Sequence, residues 1–239
     1  MHRQKQRKTK LICTLLFLGV SMSANAGLFG FGGTSWKEEV LLHDGSKIVV
    51  ERSQSRGGRH EIGQAPPVKE HSIVFTLPGT SKRVTWKDEF SEEVGSANFT
   101  LLALHLLNGA PYIVASTYGC LSYNKWGRPN PPYVLFKFDG AAWSRIQLSE
   151  FPTEFNSINL VKDTSNNERL LGSQDLVSVE QAKELNSGYR QLEYRTILRE
   201  PVKNGEGSLV DCIELVFYKG AWVGPGDSIG KRMRDLETK

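Results

Sequence analysis

The stretch whose reading decides the fold runs from Phe99 to Ser116: FTLLALHLL, then Asn108-Gly109, then APYIVAS. Its first half is apolar at nearly every position, and its leucines taken alone favour a helix. The Asn-Gly pair argues the other way. A two-residue type I′ turn between apolar runs is the strongest short-range signal of a β-hairpin, and Tyr112-Ile-Val114 beyond it is rich in strand formers. A strand that is apolar on both faces is one covered on both. Residues 99–107 are therefore expected to form a buried central strand.

Working outward, the same grammar recurs. Trp36–His43 and Ser46–Arg52 flank Asp44-Gly45, and Ser72–Leu77 and Arg83–Trp86 flank Pro78-Gly-Thr-Ser81. Tyr133–Phe138 and Ala142–Leu148 flank Asp139-Gly140, and Leu209–Tyr218 leads through Lys219-Gly220 to Ala221-Trp222. These are hairpin signals. One helix is expected, because Ser178-Val-Glu-Gln181 has the capping-box form, Ala182-Lys-Glu-Leu185 continues with good helix formers, and Asn186-Ser-Gly188 ends them. Tyr189–Glu200 alternates like a strand up to Pro201, and Arg52–Glu70 reads as loop. The expectation is a mainly β chain: a single antiparallel domain over residues 36–223, a sandwich or bent meander, with one short helix. A propeller-like arrangement is the alternative, and the turns lack the regular ~40–50-residue spacing of blades.

The chain has 239 residues, 39% hydrophobic and 23% charged, which excludes wholesale disorder. Its net charge of +4 suggests nucleic acid until the basic residues are located. Arg3, Lys5, Arg7, Lys8 and Lys10 precede an apolar run, Leu11–Val20, and then Ala24-Asn25-Ala26. That order is a secretory signal with an A-x-A cleavage pattern. Without it the basic and acidic residues nearly balance, so no nucleic-acid partner is expected. The apolar run is half the ~20 residues that span a bilayer, and no second such run occurs further along. Residues 1–26 are expected to be a signal peptide and the mature chain a periplasmic or secreted protein without a transmembrane segment. Residues 27–35 read as a flexible glycine-rich arm and 224–239 as a disordered tail.

Export would leave two cysteines, Cys120 and Cys212. In an oxidising compartment they either pair with each other or remain as buried small hydrophobes. A bridge would close a loop of about 93 residues, for which the chain-entropy model gives about 4–5 kcal/mol.

Catalytic templates return little. His43, His60, His71 and His105 form no H-x-x-x-H or zinc-type spacing. His60 and His71 read as solvated loop residues and His105 as a hydrogen-bonded core residue. G-x-S-x-G is absent. Asp44, Asp88, Glu89 and Glu92-Glu93 could supply carboxylate pairs, but 87–93 reads more simply as a solvated charged turn. No catalytic residue, metal or cofactor is assigned.

The most unusual segment is YGCLSYNKWGRPNPPY, Tyr118–Tyr133, with three Tyr, one Trp and three Pro. Tyr and Trp provide rigid contact area with a polar edge. Tyr118, Tyr123, Trp126, Arg128 and Tyr133 are the candidate binding residues, for an envelope protein or a glycan. The competing reading is a rigid connection whose aromatics cover the core. The candidate function is thus a non-catalytic envelope module, and a periplasmic hydrolase with an unrecognised site is the alternative. The strings CLSYNKWGRPNPPYVLFKFDG, VLLHDGSKIVVERS and FTLPGTSKRVTWK together resemble a group of uncharacterised small exported bacterial proteins. That resemblance implies a single exported domain and carries no site residue across.

Overall fold

The computed structural model describes residues 33–203, 208–224 and 226–228. The signal peptide, residues 27–32 of the arm and residues 225 and 229–239 of the tail expected from the sequence lie outside them.

Strands β1 (Gly33–Leu41), β2 (Lys47–Arg56), β3 (Val68–Thr76) and β4 (Arg83–Asp88) form one sheet, antiparallel and in sequence order. Strands β5 (Phe99–Leu107), β6 (Ala110–Thr117), β7 (Val134–Phe138) and β8 (Trp143–Ile146) form a second on the same plan. A third holds only β9 (Val216–Tyr218) and β10 (Ala221–Val223). The turns behave as their sequences require. Asn108-Gly109 and Lys219-Gly220 both have positive φ at each residue, the type I′ signature. Asp139 Oδ1 accepts from the Ala141 and Ala142 amides at 2.8 Å.

The two meanders pack face to face. Val40, Val50, Ile73, Phe75 and Trp86 from the first meet Phe99, Leu101, Leu104, Ile113 and Phe136 from the second in one core. The mainly β, antiparallel character is what the turn spacing predicts, and among the described residues no ring of blades closes. The outer face of the second sheet is covered too: Leu102, Ala103, Tyr112 and Leu135 pack under Phe151, Phe155, Tyr194 and Ile197. This double cover explains why residues 99–107 are apolar throughout.

A β-bulge sets the parity. Leu101 pairs with Ala115 and Ala103 with Val114, which leaves Leu102 as the extra residue. Beyond a bulge the alternation of faces shifts by one residue. Phe99 and Leu101 therefore share the inter-sheet core with Leu104 and Leu106. The Leu102 carbonyl, freed from the ladder, accepts from the Asn159 and Leu160 amides.

Helices α1 (Gly119–Lys125), α2 (Glu168–Ser173) and α3 (Val179–Asn186) are short. The capping box of α3 forms as expected, with Gln181 N donating to Ser178 Oγ and Ser178 N to Gln181 Oε1. Helices α1 and α2 have no counterpart in the sequence reading.

Several expectations are corrected. Tyr189–Glu200 is not a strand: Leu192–Tyr194 makes a 3-10 turn, and Thr196 forms one isolated bridge with Ser157. The buried hydroxyl of Tyr133 donates to the Glu193 and Thr196 carbonyls and so replaces a ladder partner. Leu209–Tyr218 is strand only from Val216, because side chains of Asn124 and Arg128 take the backbone of residues 212–215. The loop expected over Arg52–Glu70 shrinks to residues 57–67, since Arg56 is tied to Glu168, Pro66 and Ser165 and extends β2. Strand β1 opens at Gly33, inside the segment read as a flexible arm.

Candidate functional site

The segment 118–133 folds back on the protein. Tyr123 and Tyr133 are 2% and 5% exposed. Tyr123 Oη donates to the Pro129 carbonyl, and burial raises the pKa of both phenols. Trp126 is half-buried, its ring 4.6 Å from Phe99, with Nε1 donating to Asn98 Oδ1. Arg128 stacks over Tyr123 at 5.0 Å and donates to Asn124 Oδ1 and the Cys212 carbonyl. The exposed aromatic patch expected from Tyr123, Trp126 and Tyr133 does not form. A short helix and the apolar faces on either side of β7 turn those rings inward. Cys120 and Cys212 are bridged, with Cα atoms 5.4 Å apart, inside the usual 4.4–6.8 Å window.

Polar chemistry gathers elsewhere, on the inner face of the first sheet. Along β1 the inward positions run Trp36, Glu38, Val40; along β2, Val50, Arg52, Gln54. Along β3 they run His71, Ile73, Phe75, and along β4 Val84, Trp86, Asp88. Register places Gln54 opposite His71 and His71 opposite Asp88, a polar row at one end of a face that is otherwise apolar. Glu38 and Arg52 lie beside it.

These groups interlock. Arg52 Nη1 donates to Glu38 Oε2 at 2.9 Å and to the Val161 carbonyl at 2.8 Å. Glu38 Oε1 accepts from Val161 N at 2.6 Å, and Oε2 also accepts from Trp36 Nε1. Asp88 accepts from Asn98 Nδ2 and Phe99 N. His71 Nε2 lies 2.9 Å from the Phe99 carbonyl and 3.2 Å from Asp88 Oδ2. A carbonyl only accepts, so Nε2 carries a proton toward it, and Nδ1 bonds no described residue. His71 is thus a buried strand residue and Asp88 a buried carboxylate, not the solvated loop histidine and charged turn that the sequence suggested. The strand β3 starts at Val68 and β4 runs to Asp88, which draws both inward.

Where this row meets the second sheet a cavity of about 330 Å³ opens, lined by Arg52, His71, Thr100, Tyr118, Lys162 and Tyr189 among others. Its volume is at the small end of ligand sites. Lys162 Nζ stands 4.0 Å from the Tyr189 ring centroid and 4.2 Å from that of Tyr194. Burial lowers its pKa, and burial pushes the Tyr189 phenol up to about 12. The two ring faces hold the ammonium by cation–π attraction. Among the described residues Nζ has no hydrogen-bond or ion-pair partner within reach.

Of the sequence-selected residues, only Tyr118 and His71 reach this cavity. His60 is exposed on the 57–67 loop, and His43 and His105 pack against Phe155 at the other cover of the second sheet. Arg52 was missed although its signal was present, since it continues the Ile48, Val50 inward phase of β2 as a charged residue. Lys162 sits in irregular backbone, where no periodicity marks it. No group of three or more His, Cys, Asp or Glu fit for a metal occurs among the described residues, and none of their helices is long and apolar enough to cross a membrane.

Compared with protein-family models, curated proteins and solved structures, the chain matches none.

Proposed function

We propose that this chain is an exported, non-catalytic envelope module that binds a glycan, and that the ligand sits in the inter-sheet cavity rather than on the 118–133 segment. Export rests on the basic, apolar and A-x-A order of residues 1–26, and the Cys120–Cys212 bridge suits an oxidising compartment. The observation that carries the site is Arg52: it is only 4% exposed, yet it lines a cavity wide enough for one sugar ring. Tyr118 and Tyr189 on the walls are aromatic residues of the kind found against sugars.

The test is a set of monosaccharides titrated into the mature chain while amide shifts are followed. Shifts confined to Thr100, Tyr118 and Tyr189, lost when Thr100→Trp fills the cavity, are the expected result. If no sugar moves these residues, the reading is wrong.

One observation favours the hydrolase alternative. Asp88 orients His71 in the manner of a carboxylate–imidazole dyad, leaving Nδ1 as a base. Among the described residues no serine hydroxyl is hydrogen-bonded to that imidazole, so the dyad would have to activate water. Turnover of glycosidic or ester substrates that vanishes in His71→Asn would establish it.

A further inference from the structure

The cavity wall carries two cations, Arg52 and Lys162, whose hydrogen-bonding capacity is not used up. The carboxylate on the wall, Asp163, and those behind it, Glu38 and Asp88, all accept hydrogen bonds from within the protein. Glu38 accepts three hydrogen bonds, from Val161 N, Arg52 Nη1 and Trp36 Nε1. Asp88 accepts from Asn98 Nδ2 and Phe99 N and faces the Nε2 proton of His71. Asp163 accepts the Asn166 amide and side chain. Its cations are not satisfied. Arg52 lines the cavity and spends only Nη1; Nε and Nη2 bond no described residue. Lys162 presents an ammonium beside two ring faces, without a hydrogen-bond or ion-pair partner among the described residues.

Net charge does not decide the ligand here, since Glu38, Asp88 and Asp163 stand on or behind the wall with Arg52 and Lys162. Unused hydrogen-bonding capacity does. A buried donor without an acceptor is costly, the more so when charged, and an arginine edge with two free N–H groups matches a planar carboxylate. Among the acceptors on the wall is His71 Nδ1, which bonds no described residue and which a hydroxyl can meet. From this complementarity we infer that the ligand is a small hydroxy-carboxylate of the sugar-acid class, its carboxylate received by Arg52 and Lys162 and a hydroxyl by His71. The inference rests on the glycan reading and narrows it.

The probes are glucuronate, its methyl ester and glucose, titrated calorimetrically into the mature chain. Glucuronate is expected to bind at one site at least tenfold more tightly than either neutral sugar, with affinity falling as salt rises. Lys162→Gln, which removes the charge without touching the Arg52–Glu38 pair, is expected to weaken glucuronate at least tenfold and so to erase most of its advantage over glucose. Equal binding of glucuronate and glucose would overturn the carboxylate inference and leave the glycan reading standing. Binding of none of the three would overturn both. Glucuronate binding that is unchanged in Lys162→Gln would remove Lys162 from the site and overturn the inference. The ester comparison needs no variant and so decides even if a substituted chain fails to fold.

Discussion

Arg52 Nη1 lies 2.9 Å from Glu38 Oε2, and neither side chain has appreciable contact with solvent. The pair spans neighbouring strands, and Glu38 also fastens Val161, whose carbonyl accepts from Arg52 in turn. One ion pair thus locks the first sheet to the segment that carries Lys162 into the cavity. Desolvating both charges offsets much of their attraction, so the pair is not itself a large source of stability. Its arrangement fixes where the cavity cations stand.

Removing one partner is a different matter, because the other is left buried and uncompensated. Glu38→Ala is expected to cost about 3–5 kcal/mol, read as a lower urea midpoint with little change in slope. A loss under about 1 kcal/mol would mean that water reaches Arg52 and that the pair behaves as a surface one.

The Cys120–Cys212 bridge spans a sequence separation of 92 and ties the terminal hairpin to α1. Around it, Asn124 Nδ2 donates to the Ile213 carbonyl, Leu215 N donates to Asn124 Oδ1, and Trp222 Nε1 donates to the Glu93 carbonyl. Replacing both cysteines by serine is expected to lower stability by about 2–4 kcal/mol. Hydrogen exchange should quicken at Leu215 before it quickens at Ile113 in the central sheet. Equal protection with and without the bridge would show that the side-chain bonds alone hold the hairpin.

The parts of this fold legible in the sequence are those set by local interactions. Hairpins set by Asn108-Gly109 or Asp139-Gly140 are written in two residues and their flanks, and so is the capping box at Ser178. The inward phase of β2 is legible too, and Arg52 stands out once its parity is known, whereas His71 and Asp88 lie just beyond the runs Ser72–Leu77 and Arg83–Trp86 that the sequence marks as strand. Which row of one strand faces which row of the next is not legible, because register over the 57–67 loop depends on Arg56 reaching Glu168. The 189–200 segment misleads for the same reason: its carbonyls are satisfied by Tyr133, some sixty residues away. The aromatic segment is conspicuous in composition, but composition cannot say whether a ring points inward.

His105 supplies a pH prediction. It is fully buried in β5, its Nε2 donates to the Ser157 carbonyl, and its Nδ1 has no partner. Phe155 stacks on it and His43 faces it at 6.3 Å, so no acidic side chain stands among these ring neighbours. Burial lowers its pKa to about 4. The unfolded chain takes up a proton near pH 6.5 that the folded chain refuses until about pH 4. Its contribution is therefore complete above pH 6.5 and is lost as the pH falls through that window, about 3 kcal/mol in all. His105→Gln should flatten the fall in stability between those limits. A slope identical to that of the parent chain would show that other groups govern acid unfolding.

Trp126 separates a contact residue from a packing residue. Its ring packs on Phe99 and stands 6.4 Å from Phe136, its Nε1 donates to Asn98 Oδ1, and Arg145 stacks over it at 5.6 Å while donating to its carbonyl. Asn98 is also the residue that ties Asp88 to the start of β5. Fully buried Trp→Ala changes cost about 3–5 kcal/mol, and a half-buried ring should cost about 2. Trp126→Ala is therefore expected to lower the unfolding midpoint while sugar affinity, measured well below that midpoint, stays within about twofold, a difference of under about 0.5 kcal/mol. If affinity collapses while stability is unchanged, the ligand lies on the 118–133 segment after all, and the cavity loses its claim to be the site.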